Sequence, residues 1–256
     1  FLGLMKHLAA AGVPCPTPVI GRDGNALNEI AGKSAAIVTF LEGSWPRRPR
    51  PVHCQELGRA MARMHLAGAD YSVTRVNGLS LAGWRDLFAR CKDRANEVSP
   101  GLAEEISAEL NYLDSHWPSG LPAGVIHADL FPDNVFFEDE KLSGFIDFYF
   151  ACNDSFAYDL AICLNAWCFE PDTSFNITKA RVMLQAYHSE REFSGIEVAS
   201  LPLLARGAAL RFLLTRLHDW LHRVDGAMVR PKPPMEYCHK LRFHRSVSGP
   251  EAYGLM

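Results

Sequence analysis

The sequence predicts an α+β protein of two lobes, a small N-terminal lobe that contains β-strands and a large, mostly helical C-terminal lobe that carries one hairpin. Short β-type segments occur within residues 1–43. Residues 44–52 are rich in proline and arginine without an apolar period, which is typical of a linker. Residues 53–256 contain repeated amphipathic patterns of helical period, as expected for a helical lobe.

The composition excludes several classes of partner. The chain has 256 residues, of which 48% are hydrophobic, so it can bury a substantial core. Its 26 basic and 29 acidic side chains leave a net charge of -3, so no global field attracts nucleic acid or an anionic membrane. No apolar run approaches the roughly 20 residues that a membrane span needs. We expect neither partner, and the pattern carries no information on oligomeric state.

The cysteines indicate a reducing compartment. The seven cysteines are scattered, odd in number and without a C-x-x-C pair, which is typical of free thiols rather than of disulfides or a zinc site. Lys6 and His7 lie within an amphipathic helical pattern and do not precede an apolar segment, so no signal peptide is predicted. We therefore expect a cytoplasmic protein.

The small lobe is predicted to begin with a helix, because apolar residues recur at helical spacing until Gly12 and a series of alternating prolines end it. A short strand at 19–20 follows, then a turn at 22–24, and then a second strand at 35–40 that is antiparallel to the first. Lys33 is placed in a turn before the second strand.

The large lobe is predicted to contain seven helices. Their ranges are 53–68, 80–97, 101–116, 155–168, 176–190, 197–222 and 234–246. Between the third and the fourth helix lies the clear β segment of this lobe. A strand at 124–126 leads into His127, and strands at 135–137 and 142–146 flank the polar tip 138–141, which is the pattern of a hairpin.

Polar residues occur where these strands end, in the run HADLFPDNVFFEDEKLSGFIDF. Oxygen-bearing side chains that converge at such a place can position a hydroxyl group and hold Mg²⁺ against nucleotide phosphates. In that arrangement Asp129 accepts or orients the proton of the substrate hydroxyl, and Asn134 and Asp147 are metal ligands. His127 is expected to be structural, with a hydrogen bond to the backbone near Asp147.

The run H-x-D-x-x-x-x-N, followed by a hairpin and I-D-F, resembles the catalytic loop and metal-binding aspartate of protein kinases, in the variant found in the aminoglycoside phosphotransferase-like kinases. That variant has a small residue, here Ala128, in place of the loop arginine, and another residue, here Tyr149, in place of the glycine after D-F. Both differences point away from protein substrates. The similarity narrows to bacterial homoserine kinases of this superfamily over the segments GVIHADLFPDNVFF, IDFYFACNDSFAYDLAICLNAWCFE and ARGAALRFLLTRLHDWL.

This resemblance implies a protein-kinase-like fold and phosphorylation of homoserine, an amino acid on the route to threonine, with ATP and Mg²⁺. It also implies that residues 39–42 form the hinge between the lobes, where the backbone of Phe40 and Glu42 meets the adenine edge. Such kinases hold the phosphates with a glycine-rich hairpin and a strand lysine, and the sequence has neither before Leu2. We therefore expect a truncated small lobe, weak nucleotide binding and little turnover.

Candidates for the acceptor pocket follow the metal site in the sequence. Tyr149, Asn165 and Trp167 lie on or just after the segment that leaves this site, although aromatic residues at such spacing are more often core. Arg211 lies in an otherwise apolar helix, where a buried arginine needs a partner. A substrate carboxylate or an internal salt bridge would provide one. Asp159 is expected from the sequence to cap the next helix, whereas the resemblance implies that it braces the catalytic region.

Other functions are compatible with parts of the sequence. The acceptor could be another small alcohol, such as an aminoglycoside, choline, ethanolamine or methylthioribose, and the chain could be an inactive kinase-like scaffold. A zinc hydrolase is a further alternative, because His218 and His222 have the i, i+4 spacing of an H-E-x-x-H helix. Aspartate replaces the expected glutamate there and no third ligand is evident, so two partly exposed histidines are the simpler interpretation.

Overall fold

The computed structural model describes residues 1–223 and 231–255. Within these ranges the chain forms nine α-helices and six β-strands joined by loops and short 3₁₀ turns. The helices are α1 Leu2–Ala10, α2 Pro51–Ala67, α3 Leu81–Cys91, α4 Ala95–Val98, α5 Leu102–His116, α6 Phe156–Trp167, α7 Ile177–Glu190, α8 Gly195–Leu221 and α9 Met235–Ser246. The strands are β1 Asn28–Ile30, β2 Lys33–Ala35, β3 Ala123–Ile126, β4 Val135–Glu138, β5 Lys141–Phe145 and β6 Cys152–Ser155.

The predicted helices are present, and two of them, α7 and α8, begin at recognisable side-chain caps. Asn176 begins α7 by accepting a hydrogen bond from the amide of Lys179 at 3.1 Å. Ser194 begins α8 with a capping box, in which its hydroxyl and the Glu197 carboxylate each accept from the other residue's amide. The helix predicted over 80–97 is interrupted, because a 3₁₀ turn at Lys92–Arg94 separates α3 from α4.

The small lobe contains one strand pairing that was predicted and one that was not. Residues 17–19 lie antiparallel to residues 37–39, joined through an isolated bridge between Pro18 and Val38. The unpredicted pairing is the β1–β2 hairpin. Lys33 therefore begins a strand, and its placement in a turn was wrong. These strands are almost wholly exposed, so they lack the apolar alternation by which a half-buried strand is recognised.

The large lobe carries the predicted hairpin and an additional strand pairing. β4 and β5 form the antiparallel hairpin, while β3 pairs antiparallel with β6, which the sequence analysis did not predict. This second pairing returns the chain from the end of the hairpin to the strand that precedes His127. The two ends of the polar run are thereby brought to one place.

The linker is shorter at both ends than predicted. Ser44 pairs with Phe137 of β4 through two backbone hydrogen bonds of 2.9 Å, and α2 begins at Pro51. Proline is favoured at the first position of a helix because the amide hydrogen that it lacks has no partner there.

The helix α8 is the centre of the large lobe and packs against α3, α5, α6 and α9. It is long and apolar enough to cross a membrane by length and composition alone, but 61% of its most apolar window is buried within the protein. That burial is typical of a core helix. The seven cysteines are free thiols, and six of them are buried.

Close packing of α2 against α7 depends on Gly58. A Cβ atom at this position would overlap the carbonyl oxygen of Met183. We expect Gly58→Ala to lower the free energy of unfolding by about 1–3 kcal/mol through overpacking, measured by urea denaturation. The matched control is Gly195→Ala, where an added Cβ meets no atom of the described residues within 4 Å. Equal stability of the two variants would contradict this account of the helix contact.

Candidate active site

The loop that follows β3 is held in an unusual backbone conformation. Ala128 has φ 63° although it is not glycine, a conformation that costs energy unless the surroundings impose it. Its amide donates to Oδ1 of Asp159 at 2.9 Å, and its carbonyl accepts from Nη1 of Arg211 at 2.6 Å. Two buried side chains therefore fix the residue immediately before Asp129.

Asp159 braces this loop, as one of the sequence-based expectations proposed. Besides the Ala128 amide, its carboxylate accepts from the amide of His127 at 2.9 Å and from Nε2 of His65 at 3.1 Å. Burial alone would raise the pKa of Asp159, but the hydrogen bond and charge of His65, together with His127, hold it below its ordinary value. The carboxylate is thus ionised and acts as a fixed acceptor at the start of α6.

His127 joins the two halves of the site. Its Nε2 lies 2.9 Å from the carbonyl oxygen of Ile146, so this nitrogen carries the proton and donates to the residue before Asp147. Burial lowers the pKa of His127, which favours the neutral ring. This contact is the one expected from the sequence, and it gives His127 a structural position.

Asp129, Asn134 and Asp147 border one small cavity of about 250 Å³. Nδ2 of Asn134 donates to the carbonyl of Asp129 at 2.8 Å and contacts its Oδ2 at 3.3 Å. The amide of Ile146 donates to the carbonyl of Asn134 at 3.0 Å, which links Asn134 to the residue beside Asp147. The structure therefore brings together the three residues that the sequence singled out.

The carboxyl group of Asp129 lies in a partly desolvated environment. Burial raises its pKa, and the positive charge of Arg211 acts in the opposite direction. A carboxylate with a raised pKa is a stronger base than an exposed aspartate, which suits a group that accepts a proton from a hydroxyl.

A second, largely apolar cavity of about 510 Å³, called the hinge cavity below, lies between the segment predicted to be the hinge and the β4–β5 hairpin. Its lining includes Phe40 and Leu41 on the hinge side and Phe136 on β4. Asp147 borders both this cavity and the small one, so the two meet at a metal-ligand candidate. This arrangement can place the base of a nucleotide against the hinge and its phosphates at Asp147.

The two predicted adenine contacts differ in the structure. Phe40 borders the hinge cavity, whereas Glu42 is not among the described residues that line it. The carbonyl oxygen of Glu42 already accepts from the hydroxyl of Ser143 at 2.7 Å. The contacts of the Phe40 and Glu42 backbone with adenine stay predictions.

The acceptor candidates are distributed over different surroundings. Tyr149 is 58% exposed and borders the hinge cavity rather than the small one. Asn165 and Trp167 are buried in the core, where the amide of Asn165 donates to Ala205 and the indole of Trp167 donates to Leu130. The pocket roles expected for these two are corrected to core positions: Trp167 supports the loop after β3, whereas Asn165 joins α6 to α8.

Arg211 does not form the internal salt bridge that was one of the two partners suggested by the sequence. It is buried, and no carboxylate lies within salt-bridge distance of it in residues 1–223 and 231–255. Its guanidinium donates to the carbonyl of Ala128 and lies over the ring of Phe212 at 4.6 Å. Arg211 therefore supports the loop from behind.

The sequence analysis missed several residues that line the small cavity. They are Phe131, Asp133, Phe212, Arg216 and Lys232. Two of these lie inside the D-x-x-x-x-N run, so proximity to the motif could have indicated them. The other three come from α8 and from the segment before α9, and they approach only through the packing of the large lobe.

The two histidines at the end of α8 form no metal centre in the described part of the chain. The rings of His218 and His222 stack with centroids 4.5 Å apart, and Nδ1 of His222 lies 2.8 Å from the carbonyl of His218. Among residues 1–223 and 231–255 no three His, Cys, Asp or Glu side chains are arranged to hold a metal ion.

Comparison of the sequence with known proteins identifies its relatives. The phosphotransferase enzyme family matches residues 1–193. A homoserine kinase from Rhodospirillum rubrum is 64% identical over 255 residues, which cover 100% of this chain and 79% of the relative. A homoserine kinase from Bradyrhizobium diazoefficiens is 64% identical over 257 residues, with the same coverage.

Solved structures show the same fold at low sequence identity. A spectinomycin phosphotransferase in complex with ADP and spectinomycin has a TM-score of 0.68 at 12% identity, over 96% of this chain and 81% of that one. An amicoumacin kinase in complex with AMP-PNP and Ca²⁺ has a TM-score of 0.66 at 17% identity, over 95% and 75%.

The fold and the cluster of Asp129, Asn134 and Asp147 are those of a phosphotransferase of the protein-kinase-like class. The chain belongs to the phosphotransferase enzyme family, and within it to the homoserine kinases. The predictions of the fold class and of the family are confirmed.

Proposed function

We propose that this protein transfers the γ-phosphoryl group of ATP to the side-chain hydroxyl of homoserine. The structural observation that carries the proposal is the position of Asp147, which borders both the hinge cavity and the small cavity that contains Asp129. A nucleotide along the first cavity and an alcohol in the second would meet there. The substrate itself is inferred from the homoserine kinases, which are 58–64% identical over this chain.

Asp129 is the catalytic residue in this proposal. Its carboxylate orients the acceptor hydroxyl and accepts its proton as the oxygen bonds to phosphorus and the bond to the ADP oxygen breaks. Asp159, His127 and Arg211 are positioning residues, because they act through the backbone around Asp129 and Asp147.

The donor set fits Mg²⁺. The carboxylate of Asp147 and the amide oxygen of Asn134 are hard oxygen ligands. Because Nδ2 of Asn134 donates to Asp129, its Oδ1 faces away from that bond, and no donor among the described residues contacts it. Bound Mg²⁺ supplies charge stabilisation to the phosphates during transfer.

The size of the small cavity favours a small acceptor. At about 250 Å³ it lies below the roughly 300–1,000 Å³ of pockets for drug-sized ligands. An amino acid fits this space better than an aminoglycoside does. We further propose that the enzyme acts in the cytoplasm, since its seven cysteines are free thiols. Its place on the route to threonine follows from the homoserine kinases that it resembles.

An acceptor panel tests the proposal. In the full-length protein, we expect ADP release with Mg·ATP and homoserine, with kcat/KM about 10-fold or more lower for serine because it lacks one methylene. Choline, methylthioribose and kanamycin complete the panel. Activity confined to one of these compounds would contradict homoserine as the substrate and leave the phosphotransferase assignment intact. No ADP release, with no thermal stabilisation by Mg·ATP, would instead indicate an inactive scaffold.

A further inference from the structure

The small cavity beside Asp129 contains charges of both signs beyond the catalytic cluster. Arg216 of α8 and Lys232 supply two cations, Asp133 supplies a carboxylate, and the rings of Phe131 and Phe212 supply an apolar wall. These two rings meet edge to face with centroids 4.8 Å apart. A cavity with this composition is complementary to a small molecule that carries a carboxylate, an ammonium and a short aliphatic segment.

Arg216 is held in place through one nitrogen of its guanidinium group, Nη1. Nη1 donates to Oε2 of Glu236 at 2.6 Å and to the carbonyl of Pro233 at 3.3 Å, and the guanidinium lies 4.4 Å from the ring centroid of Tyr237. Within residues 1–223 and 231–255, Nε and Nη2 make no hydrogen bond. A buried arginine with free donors beside a cavity is suited to bind a carboxylate, because its planar fork is already ordered.

Lys232 and Asp133 form a loose pair at the edge of the same cavity. Their charged atoms are 3.6 Å apart, and their side chains are 61% and 51% exposed. An exposed pair of this kind contributes little to stability. A zwitterion can therefore break this ion pair with little loss of free energy, because its carboxylate then contacts Lys232 and its ammonium group contacts Asp133.

We propose that Arg216 and Lys232 bind the α-carboxylate of the acceptor and that Asp133 binds its α-ammonium group. The assignment rests on the proposed function and names the residues that select an amino acid over an uncharged alcohol. Arg211, which the sequence suggested for the carboxylate, donates to the Ala128 carbonyl behind the loop and does not line this cavity.

The test compares homoserine with analogues that lack one charge. 3-Aminopropan-1-ol lacks the carboxylate and 4-hydroxybutyrate lacks the ammonium. For Lys232→Gln and Arg216→Lys, we expect the ratio of kcat/KM for homoserine to that for 3-aminopropan-1-ol to fall about 10-fold or more, mainly through KM. For Asp133→Asn, the ratio of homoserine to 4-hydroxybutyrate is expected to fall similarly.

The controls separate recognition from folding. Lys92→Gln and Asp139→Asn remove exposed charges outside this cavity and should leave both ratios unchanged. Lys232 and Asp133 are exposed, so their variants should fold normally. Urea denaturation checks the fold of Arg216→Lys. Unchanged ratios in the folded Lys232, Arg216 and Asp133 variants would overturn the assignment while homoserine phosphorylation by the wild type still supported the proposed function.

Calorimetric titration of homoserine in the presence of Mg·ADP tests the assignment without turnover. Binding of homoserine that is about 10-fold weaker in Lys232→Gln than in the wild type supports the assignment. This result would hold even if the wild type failed to phosphorylate homoserine, which would refute the proposed function. Absence of any homoserine binding to the wild type would refute both proposals. Wild-type affinity in Lys232→Gln and Arg216→Lys would refute the carboxylate assignment alone.

Discussion

Substitution of Asp129 by asparagine is expected to lower kcat by about 10²–10⁴-fold, the usual contribution of a positioned general base. Asparagine keeps the size of the side chain but cannot accept the hydroxyl proton. Its neighbour Asn134 contacts both the side chain and the carbonyl of residue 129, so the loop should keep its shape. The measurement is steady-state ADP release with homoserine and Mg·ATP in the full-length protein.

The matched control is Asp139→Asn. Asp139 lies in the exposed turn between β4 and β5 and has φ 54°, a conformation that asparagine tolerates well. The control should retain wild-type turnover. If Asp129→Asn also kept full turnover, while its circular dichroism matched that of the wild type, Asp129 would have no catalytic role.

Substitution of Asp159 by alanine is expected to lower the free energy of unfolding by about 3–5 kcal/mol, as breaking a buried charged network does. The change removes the acceptor of two backbone amides and of the buried His65 ring. These donors would remain buried without partners. Because the same bonds hold Ala128 at positive φ, turnover should also fall. Urea denaturation measures the first effect and ADP release the second.

Asp86→Ala controls for loss of a carboxylate from the large lobe, since Asp86 is exposed on α3 and should shift stability by less than about 0.5 kcal/mol. The pKa of Asp159 is lowered in the folded protein. Its contribution is therefore present above the ordinary aspartate range and is lost as the pH falls through the folded-state pKa. The stability difference between wild type and Asp159→Ala should shrink toward acid. A difference that is small at neutral pH would contradict the bracing role.

The helices of the large lobe were predictable because the apolar spacing in their sequences matches the faces that they bury in the fold. Apolar residues at helical spacing indicated α7 and α8 before any contact was known, and in the structure these helices begin at the caps Asn176 and Ser194. The strands β1, β2 and β6 were missed because each is three or four residues long, and none has the apolar alternation of a half-buried strand. Such segments become strands because a neighbouring segment offers backbone hydrogen bonds, not because their own sequence has the pattern of a strand.

The residues of the candidate site were predictable for a different reason. Asp129, Asn134 and Asp147 lie within one short run, so the geometry of a single hairpin brings them together. The candidate residues for the acceptor pocket were predicted less well. Asn165 and Trp167 follow the motif in sequence but are turned into the core by the packing of α6, and no local pattern distinguishes a buried polar residue from one that lines a pocket.

The sequence by itself determined the fold class, the phosphotransferase family and the three residues Asp129, Asn134 and Asp147 that border the small cavity, because those properties depend on periodicity and on a motif with fixed spacing. Only the tertiary structure decided which cationic side chains border the small cavity. Arg211 and Arg216 lie on the same helix, yet the first supports the Ala128 carbonyl and the second borders the cavity. The physical reason is that residues on one helix point in different directions, and contacts with other segments decide what each of them meets.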